Sequence, residues 1–153
     1  MQIFKRILVP VDFSADSAEA TRVAADLARR FEATLMLVHV YDPLVYSLPN
    51  GFVMVPQIQT DELFAALRKQ LADSKRMALD AGAPTAETAL LQGFVAGEIA
   101  EYAKVGEFDL IVMGTHGRTG VPHFLMGSVA ERVVRLAPCP VLTVKKAKPA
   151  AAA

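Results

Sequence analysis

The chain has 153 residues, a length that favours one domain with a substantial core. Its 16 Lys and Arg balance 16 Asp and Glu, so composition gives no sign of a basic surface for nucleic acid or for a membrane. No apolar run approaches the roughly 20 residues of a membrane helix. The single cysteine, Cys139, cannot form an internal disulfide, and we expect a reducing, cytoplasmic setting.

The first forty residues contain two short apolar runs with a helical pattern between them. Residues 6–11 and 34–40 predict buried parallel strands. Apolar residues at helical spacing predict a helix over about residues 15–31, and both Asp12 and Ser14 could cap it. Together these segments predict one βαβ unit.

A long connection follows at residues 41–59, which contain three prolines and a glycine. Such a loop is either functional or a variable surface excursion, and the sequence leaves both interpretations open. Residues 60–62, Thr-Asp-Glu, predict the cap of a second helix that runs to about Ala81.

The second half continues the alternation of strands and helices. We expect residues 1–145 to form a single domain and residues 146–153 a flexible tail. The predicted elements are a weaker strand at 87–92, a helix at 95–105, a strand at 110–113, a helix at 128–136 and a strand at 140–144.

Five strands alternating with four helices predict an α/β fold, a three-layer α/β/α sandwich around a five-stranded parallel sheet. The expected strand order is 3-2-1-4-5, if the first three strands step outward and the chain then returns to the other side of strand one. Open sheets of this kind bind ligands beyond the strand ends at the point where the order reverses. That point would bring Asp12, after strand one, next to Gly114, after strand four.

The segment 113–128 places glycines between a predicted strand and a predicted helix. Backbone N–H groups and the helix dipole favour anions at such junctions, with Gly117 and Gly127 exposing amides, Ser128 a hydroxyl and Arg118 a counter-charge. The spacing matches neither the phosphate loop that ends in Lys-Ser/Thr nor the dinucleotide fingerprint. The alternative is an ordinary turn in which Ser128 only caps the helix.

Five segments carry a resemblance that covers nearly the whole chain. They are residues 7–14, 38–40, 110–118, 127–133 and 138–141. In their order and spacing they resemble the universal stress protein family. In that family the pattern G-x2-G-x9-G-[ST] marks the members that bind ATP, and the pattern is complete here from Gly114 to Ser128.

The resemblance implies ATP as the ligand, with any Mg²⁺ held mainly by its phosphates. From the residues alone, Asp12 either meets the ligand or caps the first helix, and His116 either touches phosphate or bonds to backbone. By resemblance, Pro10, Val11, Asp12 and Val40 would contact adenine and ribose, Met113 and Gly114 would line the nucleoside, and His116, Gly117, Arg118, Gly127, Ser128 and Val129 would hold the phosphates.

These features favour a nucleotide-dependent sensor or regulator in stress response. A slow ATPase or another ATP-using hydrolase ranks second, because no carboxylate in the loop is placed to orient Ser128 or His116. An interaction protein that needs no nucleotide ranks third. We therefore assign no catalytic and no metal-binding residue.

The expected partners are an adenine nucleotide, an unidentified regulatory protein and a second copy of the chain. The fifth strand should be an apolar sheet edge, and exposed edges invite pairing. We predict a homodimer in which residues 140–144 of two copies meet antiparallel about a two-fold axis, an assembly that the resemblance also implies.

Overall fold

The computed structural model describes residues 3–43, 57–117 and 126–146. Strands and helices alternate along these residues, as predicted. The elements are β1 (Arg6–Pro10), α1 (Ala15–Phe31), β2 (Thr34–Tyr41), α2 (Gln57–Asp80), β3 (Ala86–Gln92), α3 (Val95–Val105), β4 (Leu110–Gly114), α4 (Ser128–Leu136) and β5 (Val141–Val144).

The sheet is parallel throughout, in the order β3-β2-β1-β4-β5. The register sets Ile7 of β1 opposite Leu35 of β2 and Leu110 of β4. The predicted fold class and strand order are therefore confirmed. Since β1 and β4 are adjacent at the reversal of strand order, the crevice at their carboxyl ends is the expected ligand position.

Each face of the sheet is covered by two helices, and β1 contributes to both cores. Ile7 and Val9 belong to the core beneath α1 and α2, whereas Leu8 belongs to the core beneath α3 and α4. All three side chains are fully buried. A continuous apolar run suits this strand because it has no face turned to solvent.

Helix α1 lies close to the sheet because the residues that face it are small. Ala20, Ala24 and Ala28 are fully buried. The approach is tightest where β4 ends: a Cβ on Gly114 would lie 2.9 Å from Asp16 Cβ and 3.0 Å from the Asp16 carbonyl carbon. The first turn of α1 is thereby fixed against the end of β4.

The predicted start of α2 is wrong. The helix begins at Gln57, so residues 60–62 lie within it and do not cap it. Proline is favoured at helix starts, where its missing N–H would be unbonded in any case, and Pro56 was the better signal. Strand β2 also continues through Tyr41. The connection between β2 and α2 is therefore shorter at both ends than the predicted 41–59. Residues 44–56 lie outside the described residues, and the role of this connection stays open.

Strand β5 forms one edge of the sheet, as predicted, and begins at Val141 instead of residue 140. The Leu142 side chain is 40% exposed, while Val144 is buried. Of the predicted tail at 146–153, only Lys146 is among the described residues. None of the helices in the described part of the chain combines the length and apolar character that crossing a membrane requires.

Candidate functional site

A cavity of about 490 Å³ lies beyond the carboxyl ends of β1 and β4. Its volume falls in the range of roughly 300–1,000 Å³ typical of small-molecule sites. Every predicted ligand-contacting residue lines it except Arg118, which lies outside the described residues. The predicted residues that line it are Pro10, Val11, Asp12, Val40, Met113, Gly114, His116, Gly117, Gly127, Ser128 and Val129.

The cavity has an apolar end and a polar end. Val40, Met113 and Ile99 are buried and form apolar walls. Seven further residues line the cavity that sequence patterns gave no reason to assign to a ligand, because four lie inside the resembling segments without an implied contact and three carry no motif. They are Ser17, Val38, His39, Val95, Ile99, Thr115 and Ala130.

Asp12 lies at the turn between β1 and α1, facing the cavity. Its Oδ1 accepts a hydrogen bond from the Ser14 backbone N–H at 3.0 Å. Ser14 caps α1, since its hydroxyl accepts from the Ser17 N–H at 3.2 Å. The other carboxylate oxygen faces the glycine loop: a Cβ on Gly117 would lie 2.7 Å from Asp12 Oδ2. Asp12 is therefore not the cap of α1, and its carboxylate borders the polar end of the cavity.

His39 supports the turn that carries Asp12. Its Nδ1 lies 2.7 Å from the Val11 carbonyl oxygen, so Nδ1 bears a proton and donates it. Its ring stacks on Phe13, with the ring centroids 4.6 Å apart. Phe13 has φ of 66°, a left-handed conformation that a bulky residue adopts only when its surroundings hold it there. These contacts agree with a structural role for His39.

The two glycine segments of the predicted phosphate loop meet in space. The Gly127 N–H donates to the Thr115 carbonyl oxygen at 2.7 Å, and a Cβ on Gly127 would lie 3.9 Å from the Gly117 nitrogen. The expectation that Gly127 exposes its amide is therefore wrong, because that N–H closes the loop onto Thr115. Gly127 is also the residue that precedes the first turn of α4, so Ser128 is not the cap. The backbone donors left for an anion are the N–H groups in the first turn of α4, which have no partner within the helix.

Three side chains at the polar end are hydrogen-bonded to one another. The Thr115 hydroxyl donates to Asp16 Oδ2 at 3.2 Å and lies 2.9 Å from His116 Nδ1. His116 Nδ1 is 3.5 Å from the same Asp16 oxygen. The described hydrogen-bond partners of His116 are side chains and not backbone, and its contact with phosphate stays a prediction. Sequence patterning did not single out Asp16, which reaches the loop from α1.

The other candidate sites have fewer features of a functional site. A second depression of about 510 Å³ lies between α1 and α2 and does not include the carboxyl ends of the strands. Arginine and aspartate side chains line it. No cluster of three or more His, Cys, Asp or Glu side chains within the described residues is arranged to hold a metal. Burial, with a smaller effect of the Asp109 carboxylate, raises the pKa of the Cys139 thiol, which disfavours the reactive thiolate.

Comparison with known proteins gives a consistent result. Residues 3–145 match the model of the universal stress protein family. A universal stress protein of Methanocaldococcus jannaschii is 40% identical over 151 residues, which cover 95% of this chain and 85% of that protein.

Solved structures agree. The universal stress protein UspA from Lactobacillus plantarum is 31% identical, with a TM-score of 0.77 over 92% of this chain and 97% of that one. The universal stress protein from Archaeoglobus fulgidus, solved in complex with dAMP, is 27% identical, with a TM-score of 0.67 over 94% of this chain and 99% of that one. By sequence and by fold, the chain belongs to the universal stress protein family.

Proposed function

We propose that this universal stress protein binds ATP in the cavity beyond β1 and β4 and acts as a nucleotide-dependent sensor or regulator. One observation carries the proposal: a single cavity joins an apolar end, the Asp12 carboxylate and the N-terminus of α4. These three surfaces match the base, the sugar and the phosphates of a nucleotide. The related Archaeoglobus fulgidus protein in complex with dAMP supports an adenine nucleotide as the ligand.

The chemistry of each surface fits its part of the ligand. A flat base gains by burial between apolar walls, here Val40, Met113 and Ile99. A carboxylate at Asp12 is a strong acceptor for a ribose hydroxyl. The first turn of α4, from Ser128, offers backbone donors and a partial positive charge to phosphate oxygens. In this proposal Mg²⁺ accompanies ATP and is held mainly by the phosphates.

Slow hydrolysis of bound ATP is the second candidate, and one contact favours it. Asp16 lies 3.5 Å from His116 Nδ1, so a carboxylate from outside the loop can orient this ring. A base also needs a nucleophile within reach. The hydrogen bonds of the described residues include none between His116 and Ser128. We therefore keep binding first and hydrolysis second.

Incubation of the pure protein with ATP and Mg²⁺ separates these functions. We expect nucleotide to be retained through gel filtration with negligible phosphate release. Turnover at about 1 s⁻¹ or faster would instead identify an enzyme. Loss of all nucleotide would contradict both functions and leave an interaction protein that needs none.

We also propose that two copies pair antiparallel through β5. The strand is a sheet edge, and the exposed Leu142 lies in its middle.

Replacing Leu142 with Lys should yield a monomer, since a charge would be buried at the centre of the interface. Sedimentation velocity measures the outcome. Val105→Lys is the matched control, because Val105 is 74% exposed on α3, outside β5. A persistent Leu142→Lys dimer would refute this interface.

The regulatory partner and the cytoplasmic location also belong to the proposal. The location rests on the lone cysteine, and the partner on the absence of an assigned reaction. Pull-down of the protein from cells, with identification of bound nucleotide and co-purifying proteins, tests for the partner. A state-dependent partner would be recovered with one nucleotide and lost when that nucleotide is exchanged.

A further inference from the structure

We infer that His39 is a positioning residue for the nucleotide: it holds the turn that carries Asp12 and so makes the site selective for a ligand with ribose hydroxyls. The inference rests on the proposed function, which assigns Asp12 to the ribose. It starts from the contacts of one side chain. His39 of β2 is buried and contacts the residues on both sides of Asp12.

On the side before Asp12, His39 fixes the plane of a peptide bond. The Val11 N–H donates to the Val38 carbonyl oxygen at 2.8 Å, and His39 Nδ1 donates to the Val11 carbonyl oxygen at 2.7 Å. Both backbone polar groups of Val11 are therefore bonded to β2. Because the peptide bond is planar, the direction of the Val11 carbonyl also sets the direction of the Asp12 N–H and the position of the Asp12 Cα.

On the side after Asp12, His39 supports a strained residue. Its ring stacks on Phe13, with the ring centroids 4.6 Å apart and the ring planes 30° from parallel. Phe13 has φ of 66°, and a bulky residue keeps this conformation only where its contacts compensate for the strain. The contact with His39 is one of these contacts, so the turn should relax when it is lost.

The direction of the Asp12 carboxylate follows from these contacts. With the backbone held on both sides, Asp12 Oδ1 accepts from the Ser14 N–H at 3.0 Å, and Oδ2 is directed toward Gly117 at the cavity. A carboxylate that is already held in place loses less conformational freedom when a ribose hydroxyl binds to it. His39 thus contributes to affinity through Asp12 and needs no contact of its own with the ligand.

Histidine suits this position because it combines two properties. The ring lies flat on Phe13, and an N–H in the plane of the ring reaches the Val11 carbonyl. Phenylalanine would keep a ring without the donor. Asparagine would keep the donor without the ring, since its amide nitrogen is as many bonds from Cβ as Nδ1 is. These two substitutions separate the hydrogen bond from the stacking.

The test compares ATP with dideoxy-ATP, in which hydrogen replaces both ribose hydroxyls, by isothermal titration calorimetry. Hydrogen bonds to charged groups are among the stronger ones, so the wild type should bind ATP roughly tenfold or more tighter than dideoxy-ATP. In His39→Phe this preference should fall to about threefold or less, while the affinity for dideoxy-ATP changes little. His39→Asn, which keeps the donor, should retain more of the preference than His39→Phe.

Phe31→Leu is the matched control, because it removes an aromatic contact at the opposite end of the sheet. Phe31 is the last residue of α1 and meets Phe4 edge to face, with the ring centroids 5.2 Å apart. This variant should be less stable and keep the wild-type preference for ATP. A purely structural role of His39 would weaken ATP and dideoxy-ATP by the same factor, and the preference would then be unchanged.

An unchanged preference in His39→Phe, beside a clear preference in the wild type, would overturn the inference and leave the proposed function intact. A wild type that binds ATP and dideoxy-ATP equally would overturn the inference together with the assignment of Asp12 to the ribose. A wild type that binds neither would overturn the proposed function as well.

If the His39 variants do not fold, Phe13→Gly carries the test. Glycine adopts the φ of 66° without strain, so the fold should survive. The ring that stacks on His39 is lost and the turn gains freedom. The preference for ATP over dideoxy-ATP should therefore fall by about threefold or more. The wild-type preference in this variant would refute the inference.

Discussion

Gly117→Ala is expected to weaken ATP binding by roughly 10- to 100-fold while the fold survives, because the added methyl group displaces the carboxylate proposed to hold the ribose. The methyl would project to 2.7 Å from Asp12 Oδ2. The Asp12 carboxylate would have to turn away from the position proposed for the ribose hydroxyl. Isothermal titration calorimetry with ATP measures the loss.

Gly97→Ala is the matched control for this substitution. Gly97 lies within α3, where an added Cβ meets only Phe94 at an ordinary 3.4 Å. This variant should bind ATP as the wild type does and gain about 0.5–1 kcal/mol in the free energy of unfolding from the better helix former. Wild-type affinity in Gly117→Ala would refute the assignment of Asp12, beside the glycine loop, to the ligand.

Gly114→Ala should produce the largest change in stability. An added Cβ would lie within 3.1 Å of Asp16 Cβ, the Asp16 carbonyl carbon and the Ser17 nitrogen. Two of these atoms are backbone, so the strain cannot be relieved by turning a side chain. We expect a loss of about 3 kcal/mol, the upper end of the usual cost of overpacking.

Thermal unfolding tests this value, because about 3 kcal/mol corresponds to a fall in Tm of roughly 6–12 °C for a domain of this size. Gly97→Ala again serves as the control, with an unchanged or higher Tm. A Gly114→Ala protein as stable as the wild type would mean that α1 can move away from β4 at little cost. It would contradict the close contact that fixes Asp16 beside the loop.

The layers and strand order followed from the sequence because buried strands carry a strong local signal. Residues 6–11 and 34–40 are apolar on both faces, and the alternation with helices leaves few topologies. The start of α2 was missed because Thr, Asp and Glu also occur inside helices without capping anything, as residues 60–62 do here. Caps depend on local geometry more than on composition.

The site could be predicted only in part. Topology brings Asp12 to Gly114, and the structure places both at one cavity. No pattern indicated that Asp16 would turn toward Thr115, since which first-turn side chain reaches a distant loop depends on how closely the helix packs. Nor could the sequence show that the Gly127 amide is already bonded to Thr115. Arg118 stays a prediction.

Thr115 also has a role at the edge of the sheet. Its N–H donates to the Val144 carbonyl at 3.0 Å, and the Lys146 N–H donates to Asp16. The last residue of the proposed pairing strand and a residue just beyond it are thus bonded to the same two residues that contact His116. A ligand that shifts Thr115 acts on these bonds as well. Thermodynamic linkage makes such coupling reciprocal. If bound nucleotide strengthens self-association by some factor, self-association strengthens nucleotide binding by the same factor.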